Sequence, residues 1–449
     1  MPKTSLSALA LLLFLLLPLR AQTPSADIFP YDTKVEVLDN GLKVVSIPLS
    51  NPNIIATYMI VRSGSRNEVE PGKSGFAHFF EHMMFKGTKA VPRPAYDEYL
   101  TRLGAGTNGS TSDDFTVYFV VFAGRNNLEE VIKTEADRFI NLTYDDAMIK
   151  TEATVIEGEY FTGVSDPDEK LYEVLRDTAF EKHSYKHTTI GYLKDIQDMP
   201  NQYPYSLLYK KRFYAPDNCI LLVAGDFDPA RLMELVKKYY GPWERSGYTL
   251  QTPAEPAQVK AKRVHYAWPT RTLPRLSIAF HGPAYSDQQI DKAALDLLAM
   301  MAFAPSSPLY QKLVIEEQKC QSLSADFEDH RDPYLLIISS TVKKDEDLPY
   351  VEEQITKELE RLKTEALPAD KLADIKSNFR YSFAAGLGTT DGVAGNLVFY
   401  INLTSDPGTV NRLFGLYDKV TPADIQAMTK KYFVTTNSTV ATLTGGNSK

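Results

Sequence analysis

The sequence predicts an α+β protein with two homologous domains, each a mostly antiparallel sheet with helices packed on one face. Predicted strands and helices are interleaved without the strict strand–helix–strand order of a parallel sheet, which favours antiparallel pairing. A segment that ends a helix, turns and enters a strand occurs at residues 211–225 and again at 430–445, which indicates an internal duplication. The residues between the copies include a Pro-containing, polar stretch at 244–262 with the composition of an exposed linker.

Length and composition agree with this architecture. The chain has 449 residues, of which 43% are hydrophobic and 24% are charged, the balance of an ordinary globular protein. At roughly 150 residues per domain, the length fits two or three domains. The net charge of -8 leaves no diffuse positive field to bind nucleic acid or an anionic membrane.

The N-terminus has the layout of a secretory signal peptide, which we assign to residues 1–21. The apolar run at 6–19 is shorter than the about 20 residues that a membrane-spanning helix needs. We therefore expect an exported protein, in a bacterial periplasm, without a stable membrane span; a retained N-terminal anchor is the alternative. With Cys219 and Cys320 as its two cysteines, the chain is not a disulfide-stapled scaffold.

The predicted domains are residues 22–243 and 263–449, joined by the linker at 244–262. The first strands form a hairpin around Asn40 and Gly41, because Asn-Gly accepts the positive φ of a type I′ turn. Further strands are predicted at 54–61, 116–122, 220–224, 275–281, 321–328 and 334–342. Helices are predicted at 75–86, 94–103, 127–160, 229–240, 287–302, 346–364 and 368–384.

The clearest chemical signal is the sequence His78-Phe79-Phe80-Glu81-His82. Two histidines at i and i+4 lie on one face of a helix, so both imidazoles can reach one metal ion. Glu81 precedes the second histidine in the inverted arrangement of the zinc-peptidase helix. A catalytic zinc site needs a third protein ligand, and Glu152 and Glu159 are candidates because they lie seven residues apart on one predicted helical face.

Residues 74–88 (SGFAHFFEHMMFKGT) resemble the zinc segment of the pitrilysin and insulin-degrading-enzyme peptidases, nearest the mitochondrial-processing-peptidase-like branch. Residues 103–111 (LGAGTNGST) are similar to the segment that follows this helix in the family. The resemblance implies a metalloendopeptidase in which His78, His82 and Glu159 hold one zinc ion per chain. In such a site zinc activates water, and Glu81 takes the proton of that water and returns it to the leaving amine. Glu152 assists beside the metal.

The resemblance also implies a binding mode for the substrate. An extended peptide would pair as an added strand with the segment containing Asn108, Gly109 and Ser110. A plain turn before the strand at 116–122 is the alternative.

The second half departs from the family pattern. Self-sufficient members carry an Arg and, seven residues later, a Tyr that stabilise the oxyanion; Val314 and Gln321 stand at those positions. We therefore expect a heterodimer with a homologous subunit that carries the Arg/Tyr pair and closes an enclosed chamber. The alternatives are a non-catalytic assembly subunit of the same fold, or an active homodimer that uses Tyr310 or Lys312 instead.

The remaining histidines give no second site. His183 and His187 also have i, i+4 spacing, but they fall in a predicted loop. His265, His281 and His330 are isolated in the sequence.

Overall fold

The computed structural model describes residues Asp27–Gly446. The predicted signal peptide at 1–21 lies outside this range. Within the described range, no helix is both long and apolar enough to cross a membrane.

The strands form two separate sheets, as the duplication predicts. The first sheet has the order β1-β2-β6-β3-β5-β4 and the second the order β7-β11-β8-β10-β9. In each sheet one pair is parallel, β2 with β6 and β7 with β11, and the remaining pairs are antiparallel. The strands are β1 Lys34–Val37, β2 Lys43–Pro48, β3 Ile54–Val61, β4 Gly106–Thr111, β5 Thr116–Ala123, β6 Cys219–Gly225, β7 Lys262–Trp268, β8 Arg275–His281, β9 Cys320–Asp326, β10 Leu335–Val342 and β11 Ser438–Gly445.

Burial along the strands follows their position in the sheet. Every residue of the central strand β6 is buried, as expected for a strand covered on both faces. The edge strand β4 alternates between exposed and half-buried residues. The predicted hairpin is confirmed, since β1 and β2 pair antiparallel and Gly41 has a φ of 91° that favours glycine. The predicted type I′ turn is wrong, because it needs a positive φ at both central residues and Asn40 does not have one.

The helices match most predicted segments, with one clear correction. The pattern at 127–160 is two helices, because the chain turns after Asn141 and the Asp145 side chain accepts a hydrogen bond from the Met148 amide to begin a new helix. The helices are α1 Phe76–Met83, α2 Arg93–Leu103, α3 Leu128–Asn141, α4 Asp146–Gly163, α5 Pro167–Ala179, α6 Leu193–Asp198, α7 Tyr203–Phe213, α8 Pro229–Tyr240, α9 Ile290–Phe303, the single turn α10 Pro308–Tyr310, α11 Leu348–Thr364, α12 Ala369–Gly386, α13 Thr390–Thr404, α14 Thr409–Lys419 and α15 Pro422–Tyr432.

Each half contributes one helix to the other half. Helix α13 packs against β3 and β6 of the first sheet, and α5 packs against β7, β8 and β11 of the second. Leu397 of α13 therefore shares a core with Ile60, and Leu175 of α5 shares a core with Ala441. Each sheet thus has its own helices on one face and a helix of the other half on the opposite face.

A buried ionic cluster joins the halves near β4. The carboxylate of Asp113 contacts Arg176 Nη2 at 2.8 Å and His330 Nε2 at 3.1 Å. Burial alone would raise the pKa of Asp113, but these two cations outweigh it and hold that pKa well below its usual range. Burial alone would lower the pKa of His330, but the bond to Asp113 and the charges of Asp114 and Glu328 raise it.

This cluster predicts a pH-dependent stability. Because the pKa of His330 is raised on folding, its contribution is full below its ordinary pKa of about 6.5 and is lost as the pH rises through the raised value. The free energy of unfolding of the wild-type protein should therefore exceed that of the His330→Gln variant by about 2 kcal/mol at mildly acidic pH. This difference should shrink at alkaline pH. Chemical denaturation of both proteins across this range measures it; a difference that grows with pH would contradict the prediction.

Candidate metal centre

The helix α1 is short, and buried groups hold both of its ends. The carboxylate of Glu68 accepts hydrogen bonds of 2.6 Å from the amides of Gly75 and Ala77 at the N-terminus. The guanidinium of Arg138 donates to the Met84 carbonyl at the C-terminus, at 2.9 Å. Since an isolated eight-residue helix is marginal in water, these contacts stabilise and orient it. Its apolar face is fully buried and comprises Phe79, Phe80 and Met83.

The polar face of α1 meets α4. His78 Nε2 lies 3.6 Å and His82 Nε2 lies 3.4 Å from the same oxygen of Glu159. Ligand atoms of these three residues all lie within 4.8 Å of one another. The structure therefore brings together the three residues that the resemblance implies as metal ligands.

This arrangement fits a zinc ion. Zinc takes His nitrogens and carboxylate oxygens at about 2.0–2.2 Å in tetrahedral geometry, so neighbouring ligand atoms should lie about 3.3 Å apart. The separations of 3.4 and 3.6 Å between the histidine nitrogens and Glu159 agree with that value. Burial and the neighbouring His82 lower the pKa of His78 to about 4, which keeps its imidazole neutral and available as a ligand.

Glu152 lies beside the three candidate ligands and contacts one of them, His82. Its carboxylate is 2.8 Å from His82 Nδ1 and also forms an ion pair with Lys86. Burial raises the pKa of Glu152, but the bonds to His82 and Lys86 outweigh it and lower the pKa to about 2. A charged Glu152 holds the proton of His82 on Nδ1, which leaves Nε2 free to face Glu159.

Glu81 points toward the edge strand β4. Its carboxylate accepts a hydrogen bond of 2.6 Å from the Thr111 hydroxyl. Burial raises the pKa of Glu81, and the bond from Thr111 opposes this rise. A raised pKa brings a carboxylate closer to the range in which it exchanges protons at neutral pH.

The predicted substrate segment is a strand, not a plain turn. Side chains of β4 alternate, so Gly109 and Thr111 lie on the side of α1 while Asn108 and Ser110 lie on the other. A Cβ at Gly109 would lie 3.2 Å from the Glu81 side chain, which explains a glycine here. In the first sheet β4 pairs with β5 alone, so no strand among residues 27–446 covers its outer backbone edge.

The second half has no equivalent metal site among the described residues. Val314 packs against the core of that half, and Gln321 is exposed on the edge strand β9. Lys312, one proposed substitute donor, instead donates to Gln354 Oε1 at 2.6 Å.

Two residues of the centre were not assigned a role from the sequence. Lys86 lies four residues after His82 and pairs with Glu152, and Thr111 contacts Glu81 across the space between β4 and α1. The alternation of side chains along β4 indicates that Thr111 shares a face with Gly109. It shows which face lies toward α1 only when the register of β4 with β5 is known.

The fold and centre define a two-halved α+β protein with an inverted zinc-peptidase helix. Residues 43–192 match the family model described as insulinase (peptidase family M16), and residues 207–379 match the M16 inactive domain. The chain therefore belongs to peptidase family M16.

Individual relatives agree with this assignment. The chain is 29% identical over 428 residues to the zinc protease PqqE of Helicobacter pylori, covering 90% of this chain and 91% of the relative. It is 30% identical over 222 residues to a probable mitochondrial-processing peptidase subunit beta of Schizosaccharomyces pombe, covering 49% and 48%. The crystal structure of a protease from Helicobacter pylori superimposes with a TM-score of 0.85 at 27% identity, covering 92% of this chain and 99% of that one.

The contact between Glu152 and His82 gives a testable expectation. Replacing Glu152 with Gln removes the charge that fixes the His82 tautomer, so zinc affinity should fall about 10- to 100-fold. Competition with a chromogenic chelator measures the affinity. Glu157→Gln is the matched control, because Glu157 lies on the same helix and instead binds Gln197 at 2.9 Å; equal losses in both variants would contradict a specific role for Glu152.

Proposed function

We propose that this protein is the catalytic subunit of a zinc-dependent endopeptidase that hydrolyses peptides or unfolded polypeptide segments. The observation that carries the proposal is the convergence of His78, His82 and Glu159. Glu81 lies beside these three residues and is not needed as a further metal ligand. When bound, zinc would activate the attacking water and polarise the scissile carbonyl. The names of the relatives as zinc proteases support this chemistry.

The residues of this chain then have distinct roles. Glu81 accepts the proton of the attacking water and returns it to the leaving amine. Thr111 fixes the orientation of the Glu81 carboxylate through its 2.6 Å hydrogen bond. Glu152, charged by its pairing with Lys86, keeps His82 in the tautomer that a metal ligand requires.

The substrate binds as an added strand on β4. Its backbone pairs with the open edge at Asn108, Gly109 and Ser110, and this pairing selects extended chains rather than a particular sequence. The scissile bond is thereby presented next to Glu81, because Gly109 lies so close to that side chain that a Cβ at this position would be 3.2 Å from it.

Oxyanion stabilisation comes from a partner. With Val314 and Gln321 at the two donor positions, this chain lacks an interaction that contributes about 10²- to 10³-fold to rate. A homologous subunit with the Arg/Tyr pair would supply it and would close a chamber around the peptide. An assembly role without catalysis leaves the placement of Glu81 and its bond to Thr111 unexplained.

The direct test is hydrolysis of a quenched fluorescent peptide by the zinc-loaded chain, alone and mixed with a purified homologue that carries the Arg/Tyr pair. We expect weak activity alone, a gain of about 10²- to 10³-fold on mixing, and no gain when the partner Arg and Tyr are replaced. An equally fast reaction by the chain alone, verified as free of homologues, would contradict the partner model.

Export and domain boundaries belong to the same proposal. The segment at 1–21 directs the chain to a bacterial periplasm, and mass analysis of the secreted form tests its removal. The lack of helix and strand at 244–261 supports the boundaries at 22–243 and 263–449, except that β7 already begins at Lys262, the last residue of the predicted linker.

A further inference from the structure

The hairpin that joins β4 to β5 is embedded in the junction between the two halves. Its tip spans residues 112–115, where the Ser112 amide donates to the Phe115 carbonyl at 2.8 Å. Asp113 and Asp114 of this tip are only 7% and 3% exposed. Buried carboxylates require partners, and both halves of the chain provide them.

The first half supplies partners to both carboxylates, including the Ser65 hydroxyl, which donates to Asp113 at 2.5 Å, and Arg66, which lies 3.8 Å from Asp114. Arg176 donates to Asp113 at 2.8 Å, and the Tyr185 hydroxyl donates to Asp114 at 2.7 Å. Arg176 and Tyr185 are themselves buried, so these contacts hold the tip from one side.

The second half holds the tip from the other side through the loop at residues 328–332. His330 Nε2 lies 3.1 Å from Asp113, and the Arg331 amide donates to Asp114 at 2.8 Å. Asp332 anchors the loop, since it accepts from Arg66 at 2.6 Å and lies 3.0 Å from His183 Nε2. His330, isolated in the sequence, is thus buried at the centre of the junction.

The tip is directly connected to the metal centre. Thr111, which orients Glu81, lies two residues before Asp113, and Asn108 to Ser110 precede it on the same strand. Displacement of the tip would therefore shift both the edge that receives substrate and the hydroxyl that orients Glu81.

We propose that His330 is a positioning residue, through which the metal-free half of this chain fixes β4 and Glu81 of the metal-binding half. The expected effect of His330 on KM rests on the proposed peptidase function. The expected effect on the order of β4 does not. It gives the second half a role within its own chain that is independent of any oxyanion donor.

The test compares three variants of the full chain. His330→Leu removes the contact with Asp113, and His330→Gln keeps a neutral donor and should rescue it in part. The matched control is Arg275→Gln, because Arg275 also joins the halves, through a 2.7 Å pair with Asp168 on α5, but away from β4. Hydrogen exchange of amides 104–119, zinc affinity, KM and kcat are measured for each.

We expect His330→Leu to accelerate exchange in β4 about 10-fold and to raise KM by about the same factor, since strand addition requires an ordered edge. Zinc affinity should be unchanged, because the loop at 328–332 does not contribute a ligand. If His330 only stabilised the fold, replacing it would reduce the fraction of active protein, and hence the apparent kcat, without changing KM. His330→Gln should lie between His330→Leu and the wild type, and Arg275→Gln should match the wild type.

Unchanged exchange and KM in a folded His330→Leu protein would overturn the inference, as would equal effects in Arg275→Gln. If His330→Leu does not fold, Asp332→Asn, which weakens the anchor of the same loop, is judged by the same criteria. If the wild type hydrolyses no peptide even with a partner, the proposed function fails, while the exchange rates still decide whether His330 orders β4.

Discussion

Replacing Glu81 with Gln is expected to lower kcat about 10²- to 10⁴-fold while leaving about one zinc ion bound per chain. The glutamine side chain keeps the shape of glutamate and its amide oxygen can still accept the Thr111 hydrogen bond. It cannot take the proton of the attacking water, so the chemical step is lost while the metal ligands remain in place.

Two measurements on the same preparation decide this prediction. Peptide hydrolysis gives the rate, and elemental analysis gives the zinc content. Glu157→Gln makes the same chemical change on α4, at a carboxylate that binds Gln197, and should retain both. Loss of zinc together with activity in Glu81→Gln would show that Glu81 holds the metal rather than the proton.

Replacing Glu159 with Gln should instead lower zinc affinity, with loss of hydrolysis as a consequence. Glu159 supplies the carboxylate that faces both histidines, and an amide is a much weaker zinc ligand than a charged oxygen. Loss of a direct ligand should exceed the about 10- to 100-fold cost of losing a supporting carboxylate, so zinc affinity should fall more than about 100-fold and hydrolysis with it.

This prediction is checked by chelator competition and by recovery of activity at excess zinc. The protein should remain folded, because the Glu159 side chain is 43% exposed and belongs to no core. Recovery of activity at high zinc would identify an affinity defect, as expected. Unchanged zinc affinity in Glu159→Gln would exclude Glu159 as the third ligand.

Local features of the site could be predicted because they depend on one helix. The i, i+4 spacing of His78 and His82 fixes their common face wherever α1 lies. The same reasoning places Glu152 and Glu159 together on α4, although it cannot say which of them meets the histidines. The resemblance implies Glu159, and the packing of α1 against α4 places Glu159 beside both Nε2 atoms and Glu152 beside Nδ1 of His82.

One missed feature is local, and another depends on contacts between distant segments. Two helices occupy 127–160 because the chain turns at Asn141 and is recapped by Asp145, a local break that the continuous apolar pattern concealed. The exchange of α5 and α13 between the halves leaves no signature in either helix, because a buried face has the same composition whichever sheet covers it.

The sequence by itself determined the two-sheet α+β architecture and the spacing of the zinc motif, which follow from short-range patterns and an internal repeat, and the family, which follows from the resemblance of residues 74–88 and 103–111 to known peptidases. Tertiary structure alone placed Thr111 against Glu81, Lys86 against Glu152, and His330 of the second half against Asp113 at the tip of the hairpin. Hydrogen bonds and ion pairs between segments far apart in the chain depend on strand register and helix packing, and no local pattern encodes those distances.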